Sequence, residues 1–202
     1  MKKKVIISVL TGFCIAISLM GTFRRTEEAL SGAVVRLHVR ANSDSAEDQS
    51  LKLKVRDRIL KESGKLLAGV QNKSEAHIII GRNLDHLRQC AQDEVLICGY
   101  DYPVEISFGK SDFPTKTYGD VCLPAGTYEA LIVNIGNAKG HNWWCVMFPP
   151  LCFTEESGEE LTADTEEIFK ENMDKGTYDM ISEGKPKIKF KLYEWWKKIS
   201  VK

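Results

Sequence analysis

The sequence predicts an α+β domain with an N-terminal strand, two or more helices, and then a mainly antiparallel sheet. Apolar and polar residues alternate at 34–40, apolar residues recur at helical spacing between 51 and 98, and alternation returns after Gly99. A period of two indicates strands and a period near 3.6 indicates helices. Helices followed by a run of strands favour α+β over a repeating α/β fold.

The first strand, at 34–40, has its valines and leucine on one face and its basic residues on the other. Residues 42–45 then supply N-cap candidates, and acidic residues follow in the first turn. Apolar residues at four-residue spacing over 51–59 predict an amphipathic helix. Gly64 predicts a break in that helix.

A second helix is predicted to open at Asn83 and to stop at Gly99, where a glycine suits the C-terminal end. Short alternating or apolar runs then predict strands, with a turn at 123–126 between two of them and a stop at Pro149. These strands are expected at 104–108, 115–123, 127–135 and 142–148.

The front of the chain has the pattern of an export signal. Lysines at 2–4 precede an uncharged run at 5–23, as a basic region precedes an apolar one in a signal peptide. The run is also close to the about 20 residues that cross a bilayer as a helix. A signal peptide at 1–25 and an uncleaved anchor both remain open, and in either case we expect the body to be exported.

We expect one α+β domain at 33–153, followed by a tail at 154–202. The tail is acidic over 155–174 and rich in lysine over 185–202, where it carries two tryptophans. Contact with an anionic membrane surface and a strand and helix packed back on the domain are both compatible with this pattern.

Composition and motifs exclude several classes of function. The 28 Lys and Arg residues equal the 28 Asp and Glu residues, which argues against a nucleic-acid binder. The chain has no CxxC, no HExxH, no His/Cys pair at zinc-site spacing and no phosphate loop, so we expect no metal, cofactor or small-molecule substrate.

His141 and Cys145 resemble a thiol nucleophile with its base, but on a strand they lie ~13 Å apart. We therefore expect no enzyme.

One cysteine lies in the apolar run, and five remain in the exported part. Cys90 and Cys98 lie eight residues apart on a predicted helix, about 12 Å, which is beyond the reach of a disulfide. A bridge and a set of unbonded buried thiols both remain open for Cys122, Cys145 and Cys152, with Cys145–Cys152 as the candidate pair.

Two adjacent tryptophans, Trp143 and Trp144, make the segment 140–153 the most unusual candidate for binding. Neighbouring residues on a strand point to opposite faces, so one indole can be buried while the other is exposed as an anchor. Burial of both is the alternative.

Several long motifs stand out between 35 and 153. They are LHVRANSDS at 37–45, EDQ at 47–49, LKLKVRD at 51–57, FPTKTYG at 113–119, LPAGTYEAL at 123–131, and NWWC with PPLCF inside 142–153. In these motifs the chain resembles the stage II sporulation protein R family. The N-terminal segment and the tail share only general features with the family, namely a signal-like segment and a basic end.

The resemblance implies an exported signalling protein of endospore formation. Members are made in the forespore and secreted across its membrane into the space between forespore and mother cell. There they are needed to activate a membrane-embedded aspartic protease, which cleaves the inactive precursor of the mother-cell sigma factor. The chain would be the trigger of that protease and would have no catalytic residues of its own.

The motifs direct attention to two segments as the contact with the protease. The candidate partner-binding residues are His38, Arg40, Asn42, Asp44, Trp143, Trp144, Phe148, Pro149 and Pro150. Two other classes of function remain as alternatives. One is a secreted thiol-dependent hydrolase, and the other is a scaffold or adhesion module of the cell envelope.

Overall fold

The computed structural model describes residues 11–12, 28–118, 121–152, 163–173 and 175–182. A helical stretch at 28–33 leads into the domain. The elements that follow are β1 (Val35–Arg40), α1 (Ala46–Leu66), α2 (Lys73–Arg82), α3 (Leu84–Ile97), β2 (Val104–Phe113), β3 (Lys116–Tyr118), β4 (Val121–Leu123), β5 (Gly126–Ile135), β6 (Asn142–Phe148), α4 (Ala163–Asn172) and α5 (Lys175–Ile181). The predicted α+β class is confirmed.

Four strands form one sheet in the order β2–β5–β1–β6. β1 runs antiparallel to β6 but parallel to β5, and β5 runs antiparallel to β2. The first strand therefore lies inside the sheet, between the two strands formed last. Its parallel pairing with β5 is possible because the three helices and β2 carry the chain back to the same end. β3 and β4 form a separate antiparallel pair.

The helices differ from the prediction in two places. α1 continues through Gly64 without a break; glycine costs only about 1 kcal/mol relative to alanine in a helix, and burial of Ile59 and its neighbours against the core outweighs that cost. α2 was not predicted at all. It begins after Asn72, whose side chain accepts a hydrogen bond from the Glu75 N–H. α3 begins after Asn83, as predicted.

The strands also differ in extent. β2 extends to Phe113 and pairs with β5 at ten consecutive positions, whereas the sequence predicted an end at Phe108. The long strand predicted at 115–123 is divided into β3 and β4, which pair with each other. β6 has the predicted bounds.

The helices cover one face of the sheet, which we call the helix-covered face. Two rows of directly paired residues define it: Ile106–Val133–Val39–Trp143 and Phe108–Leu131–Leu37–Cys145. Leu37, Val39, Leu131 and Val133 have no exposed surface. The guanidinium of Arg56, on α1, lies 4.2 Å from the Trp143 ring centroid and so packs on this face.

In the part of the chain that the structure describes, no helix is both long enough and apolar enough to cross a bilayer. The predicted signal or anchor segment at 5–23 lies outside the described residues except for Thr11 and Gly12. The basic, tryptophan-bearing end of the tail at 185–202 also lies outside them.

Candidate partner-binding site

The second face of the sheet carries polar residues along β1 and its neighbours. Two rows lie side by side at its accessible end: Ser107–Ile132–His38–Trp144 and Glu105–Asn134–Arg40–Asn142. We call these two rows the open face. Glu105 and Ser107 are exposed, while Arg40, Asn142 and Trp144 are half-buried. Arg40 forms no ion pair with any residue that the structure describes.

The other end of the same face is closed around Arg36. Its guanidinium carbon lies 4.0 Å from the Phe113 ring centroid, 5.0 Å from that of Tyr128 and 6.0 Å from that of Tyr118. Arg36 Nη2 donates to the Tyr118 hydroxyl over 2.8 Å. Arg36 is fully buried, and its Nε and Nη1 have no hydrogen-bond partner. Among the residues that the structure describes, the positive charge is therefore held by aromatic rings and one hydroxyl rather than by a carboxylate.

His38 connects the closed end to the open face. Its Nδ1 lies 3.1 Å from Ser111 Oγ, and its Nε2 lies 3.0 Å from Asn142 Oδ1. Arg40 Nε also approaches Nε2, at 3.3 Å. The imidazole stacks on Trp144 with a centroid distance of 5.6 Å. In the neutral ring, Nε2 either donates to Asn142 Oδ1 or accepts from the Arg40 Nε–H. Whichever of these forms, the ring is fixed beside Asn142, Arg40 and Trp144.

The environment of His38 favours the neutral imidazole. Burial lowers the pKa of His38 below its ordinary 6.5, and the charges of Arg40 and Arg36 lower it further. The hydrogen bond with Asn142 opposes this shift but does not overcome it. At neutral pH the open face therefore carries its positive charge on Arg40 and not on His38.

The turn between β1 and α1 is held by its own polar side chains. Asn42 Nδ2 and Ser43 Oγ both donate to Asp48 Oδ2, at 2.8 and 2.6 Å. Burial alone would raise the pKa of Asp48, but these hydrogen bonds outweigh it and the pKa is lowered. Ser45 caps α1 by accepting from the Asp48 N–H. This network fixes the exit of β1 beside Arg40.

The loop before β6 docks on that turn. Asn42 Oδ1 accepts from the Asn137 N–H, and Asp44 accepts from both the backbone N–H and the ring of His141. A Cβ at Gly140 would lie 2.1 Å from the Ser43 carbonyl oxygen, so glycine is required there by close backbone approach. Two distant motifs thus meet at the end of the open face.

The comparisons with known proteins agree on one family. The sequence model described as Stage II sporulation protein R matches residues 31–158. The chain is also 33% identical over 218 residues to Stage II sporulation protein R of Bacillus subtilis (strain 168), across 96% of this chain and 97% of that protein. The chain belongs to the stage II sporulation protein R family. No solved structure was found to match it.

Family membership gives the chain a role in sporulation. The matched residues 31–158 include both rows of the open face, the turn after β1 and the aromatic residues around Arg36. The motifs that carried the resemblance are therefore the same segments that build this face.

The nine predicted partner-binding residues separate into distinct environments. His38, Arg40 and Trp144 lie together on the open face, and Trp143 lies on the helix-covered face, as expected for adjacent residues on a strand. Both indoles are half-buried, and the Nε1 atoms of both lack a hydrogen-bond partner. Asn42 is occupied by a contact within the turn, and Asp44 is occupied by its contact with His141 in the loop before β6.

The three remaining predicted residues lie elsewhere. Phe148 and Pro149 are buried, so their side chains are not presented at the surface. Pro150 is exposed but lines a cleft of about 430 Å³ between the end of α1 and β6, together with Leu60 and Leu67. The segment 142–153 therefore contributes Asn142 and Trp144 to the open face, but not its prolines.

Cys145 and Cys152 are joined by a disulfide, the pair that the sequence analysis named as the candidate. Cys145 lies on the helix-covered face and has no exposed surface. It offers no free thiolate, so the alternative of a hydrolase with Cys145 as nucleophile is wrong for this structure. Cys90 and Cys98 are free thiols.

One group of polar residues was not predicted from the sequence. Glu62 on α1 and His86 and Cys90 on α3 bring their side-chain ligand atoms within 4.8 Å of one another. His86 and Cys90 are four residues apart on a helix, a spacing that places both on one face. The signal was visible in the sequence, but the contribution of Glu62 needed the packing of α1 on α3.

Proposed function

We propose that this chain is an exported signalling protein of sporulation that triggers a membrane-embedded aspartic protease. The protease would then process the inactive precursor of the mother-cell sigma factor. The chain acts from the space between forespore and mother cell, which it reaches through its N-terminal segment at 5–23. It binds the protease and catalyses no reaction itself.

The main support for the proposal is the open face of a chain that belongs to this family. Arg40 is half-buried, is positioned by His38, and has no carboxylate partner among the described residues. Trp144 lies on β6 in the neighbouring row of the same face, paired with His38, and adds a large apolar surface. Arginine and tryptophan are among the residue types that are enriched in the hot spots of protein interfaces.

Activation by binding requires a difference in affinity. The chain can shift the protease toward its active state only if it binds that state more tightly than the inactive one. A rigid face suits this task because little conformational entropy is lost on binding. The fixed His38 ring and the docked turn supply that rigidity on the side of this chain.

Reconstitution in a non-sporulating bacterium tests the proposal. The full chain would be co-produced with the receptor protease and the sigma-factor precursor, and precursor size followed by immunoblot. We expect cleavage that depends on this chain and on its N-terminal segment. Arg40→Ala should reduce cleavage at least about tenfold, the effect of losing a central arginine contact.

Arg82→Ala is the matched control, because Arg82 is exposed on α2, far from the open face in the fold. It should leave cleavage unchanged. Full activity of a stably folded Arg40→Ala variant would overturn the assignment of the open face. Absence of cleavage when all three proteins are present and this chain is exported would overturn the trigger function itself.

A further inference from the structure

We propose that Glu62, His86 and Cys90 form a zinc site that links α1 to α3. The three side chains supply one carboxylate, one imidazole and one thiol, and their ligand atoms lie within 4.8 Å of one another. Zinc is the divalent ion that most often combines these three donor types. The site lies among the helices and is separate from the open face.

The spacing of the donor atoms fits a tetrahedral ion. Cys90 Sγ lies 3.7 Å from His86 Nε2 and 4.0 Å from His86 Nδ1. Zinc bonds of ~2.3 Å to sulfur and ~2.0 Å to nitrogen, at a tetrahedral angle to each other, separate those two atoms by about 3.5 Å. The helix therefore already holds the sulfur and nitrogen at the separation that zinc requires.

The surroundings allow an ion to enter and to be held. His86 is exposed, whereas Cys90 is 6% exposed and Glu62 is 8% exposed, so the site opens to solvent on the histidine side. Three protein ligands leave the fourth position for water. Binding releases the thiol proton of Cys90, because the thiolate is the form that coordinates zinc.

Two cations compete for Glu62. Lys65 Nζ lies 2.9 Å from Oε2 and 3.0 Å from Oε1, and Arg58 Nη2 lies 3.7 Å from Oε1. The Lys65 side chain is 61% exposed, so its ammonium can turn into water when zinc takes its place on Glu62. One carboxylate oxygen can then bind the ion while the other keeps a cationic neighbour.

Titration of the full chain with zinc against a chromogenic chelator tests the site. The chain should be purified metal-free in mild detergent, without thiol oxidation, and should bind one zinc ion. Loss of a residue that only orients a metal ligand weakens metal binding about 10–100-fold. Cys90→Ser and His86→Gln each remove a ligand itself, so each should weaken zinc binding by more than that. Cobalt(II) bound to the parent chain should show a thiolate charge-transfer band that Cys90→Ser abolishes.

Cys98→Ser is the matched control, since Cys98 is a second free thiol directly after α3 and its Sγ faces Glu94. This variant should bind zinc as the parent does, and zinc should raise its thermal midpoint but not that of His86→Gln. His86 is exposed, so His86→Gln should fold even where Cys90→Ser does not. No stoichiometric binding, or equal affinity in the parent, His86→Gln and Cys90→Ser chains, would overturn the site.

Discussion

The two faces of β1 carry different chemistry, although both are largely buried. On the helix-covered face, Leu37 and Val39 have no exposed surface and pack among apolar residues. On the second face, Arg36 is equally buried but lies among aromatic rings, and His38 is held by hydrogen bonds. At residues 36–39, the alternation of apolar and polar residues therefore marks two buried faces that are filled differently. Only at Arg40 does the second face reach the surface.

This difference separates stability from recognition. Close packing of apolar side chains supports the fold through burial alone. A buried arginine without a carboxylate partner adds little to stability, because desolvation of its charge offsets its contacts. The polar residues of the second face are thus better explained by a role in positioning Arg40 and Trp144 than by a contribution to stability.

The largest expected effect comes from the helix-covered face. Leu37→Ala removes a fully buried side chain at the centre of the sheet and should lower the free energy of unfolding by about 2–5 kcal/mol. Urea unfolding followed by circular dichroism measures the change. A loss below about 1 kcal/mol would mean that this face is loosely packed, and the contrast between the faces would fail.

Arg36→Met sharpens the contrast from the other side. Methionine keeps most of the volume between Phe113 and Tyr128 and removes an unpaired buried charge, so the free energy of unfolding should change by no more than about 1 kcal/mol. The same urea titration measures it, with the exposed Arg82→Met as control. A loss as large as that of Leu37→Ala would show that the guanidinium itself stabilises the core.

A smaller effect is expected from the titration of His38. Its pKa in the folded state lies below the ordinary 6.5, so the unfolded chain takes up the proton first as the pH falls. The contribution of neutral His38 is complete above pH 6.5 and is lost as the pH falls from there toward the folded-state pKa. The loss cannot exceed about 1.4 kcal/mol for each pH unit.

Unfolding free energies of the parent and of His38→Gln, compared at about pH 7.5 and about pH 5.5, measure this effect. The parent should lose more stability between the two values than the variant. Equal losses in both proteins would show that His38 is not held neutral in the folded state.

Local patterns in the sequence predicted much of the fold. The alternation at 34–40 and the apolar run ending at Pro149 predicted two strands, although not that they pair with each other. The Trp143–Trp144 pair correctly predicted indoles on opposite faces. The burial of Arg36 could not be predicted, because Phe113, Tyr118 and Tyr128 lie more than 70 residues away along the chain. Only the pairing of β2 with β5 and the position of β3 bring them over β1.

The same limit applies to the candidate site. Asn42 and Asp44 are predicted as partner-binding residues because they lie in the motif at 37–45, but a sequence cannot show that their hydrogen bonds are made within the chain. The acidic residues after the first strand were correctly predicted to be at the start of a helix. Which polar residue remains available to a partner depends on long-range contacts.

The central claim is that the open face, and not the helix-covered side of the domain, contacts the receptor protease. Site-specific photocrosslinking in the reconstituted system tests it most directly, with benzoylphenylalanine placed at Ser107 on the open face or at Lys61 on α1. Both positions are exposed. The account predicts a crosslink to the protease from position 107 and none from position 61. A crosslink from 61 alone, with precursor cleavage intact in both proteins, would contradict it.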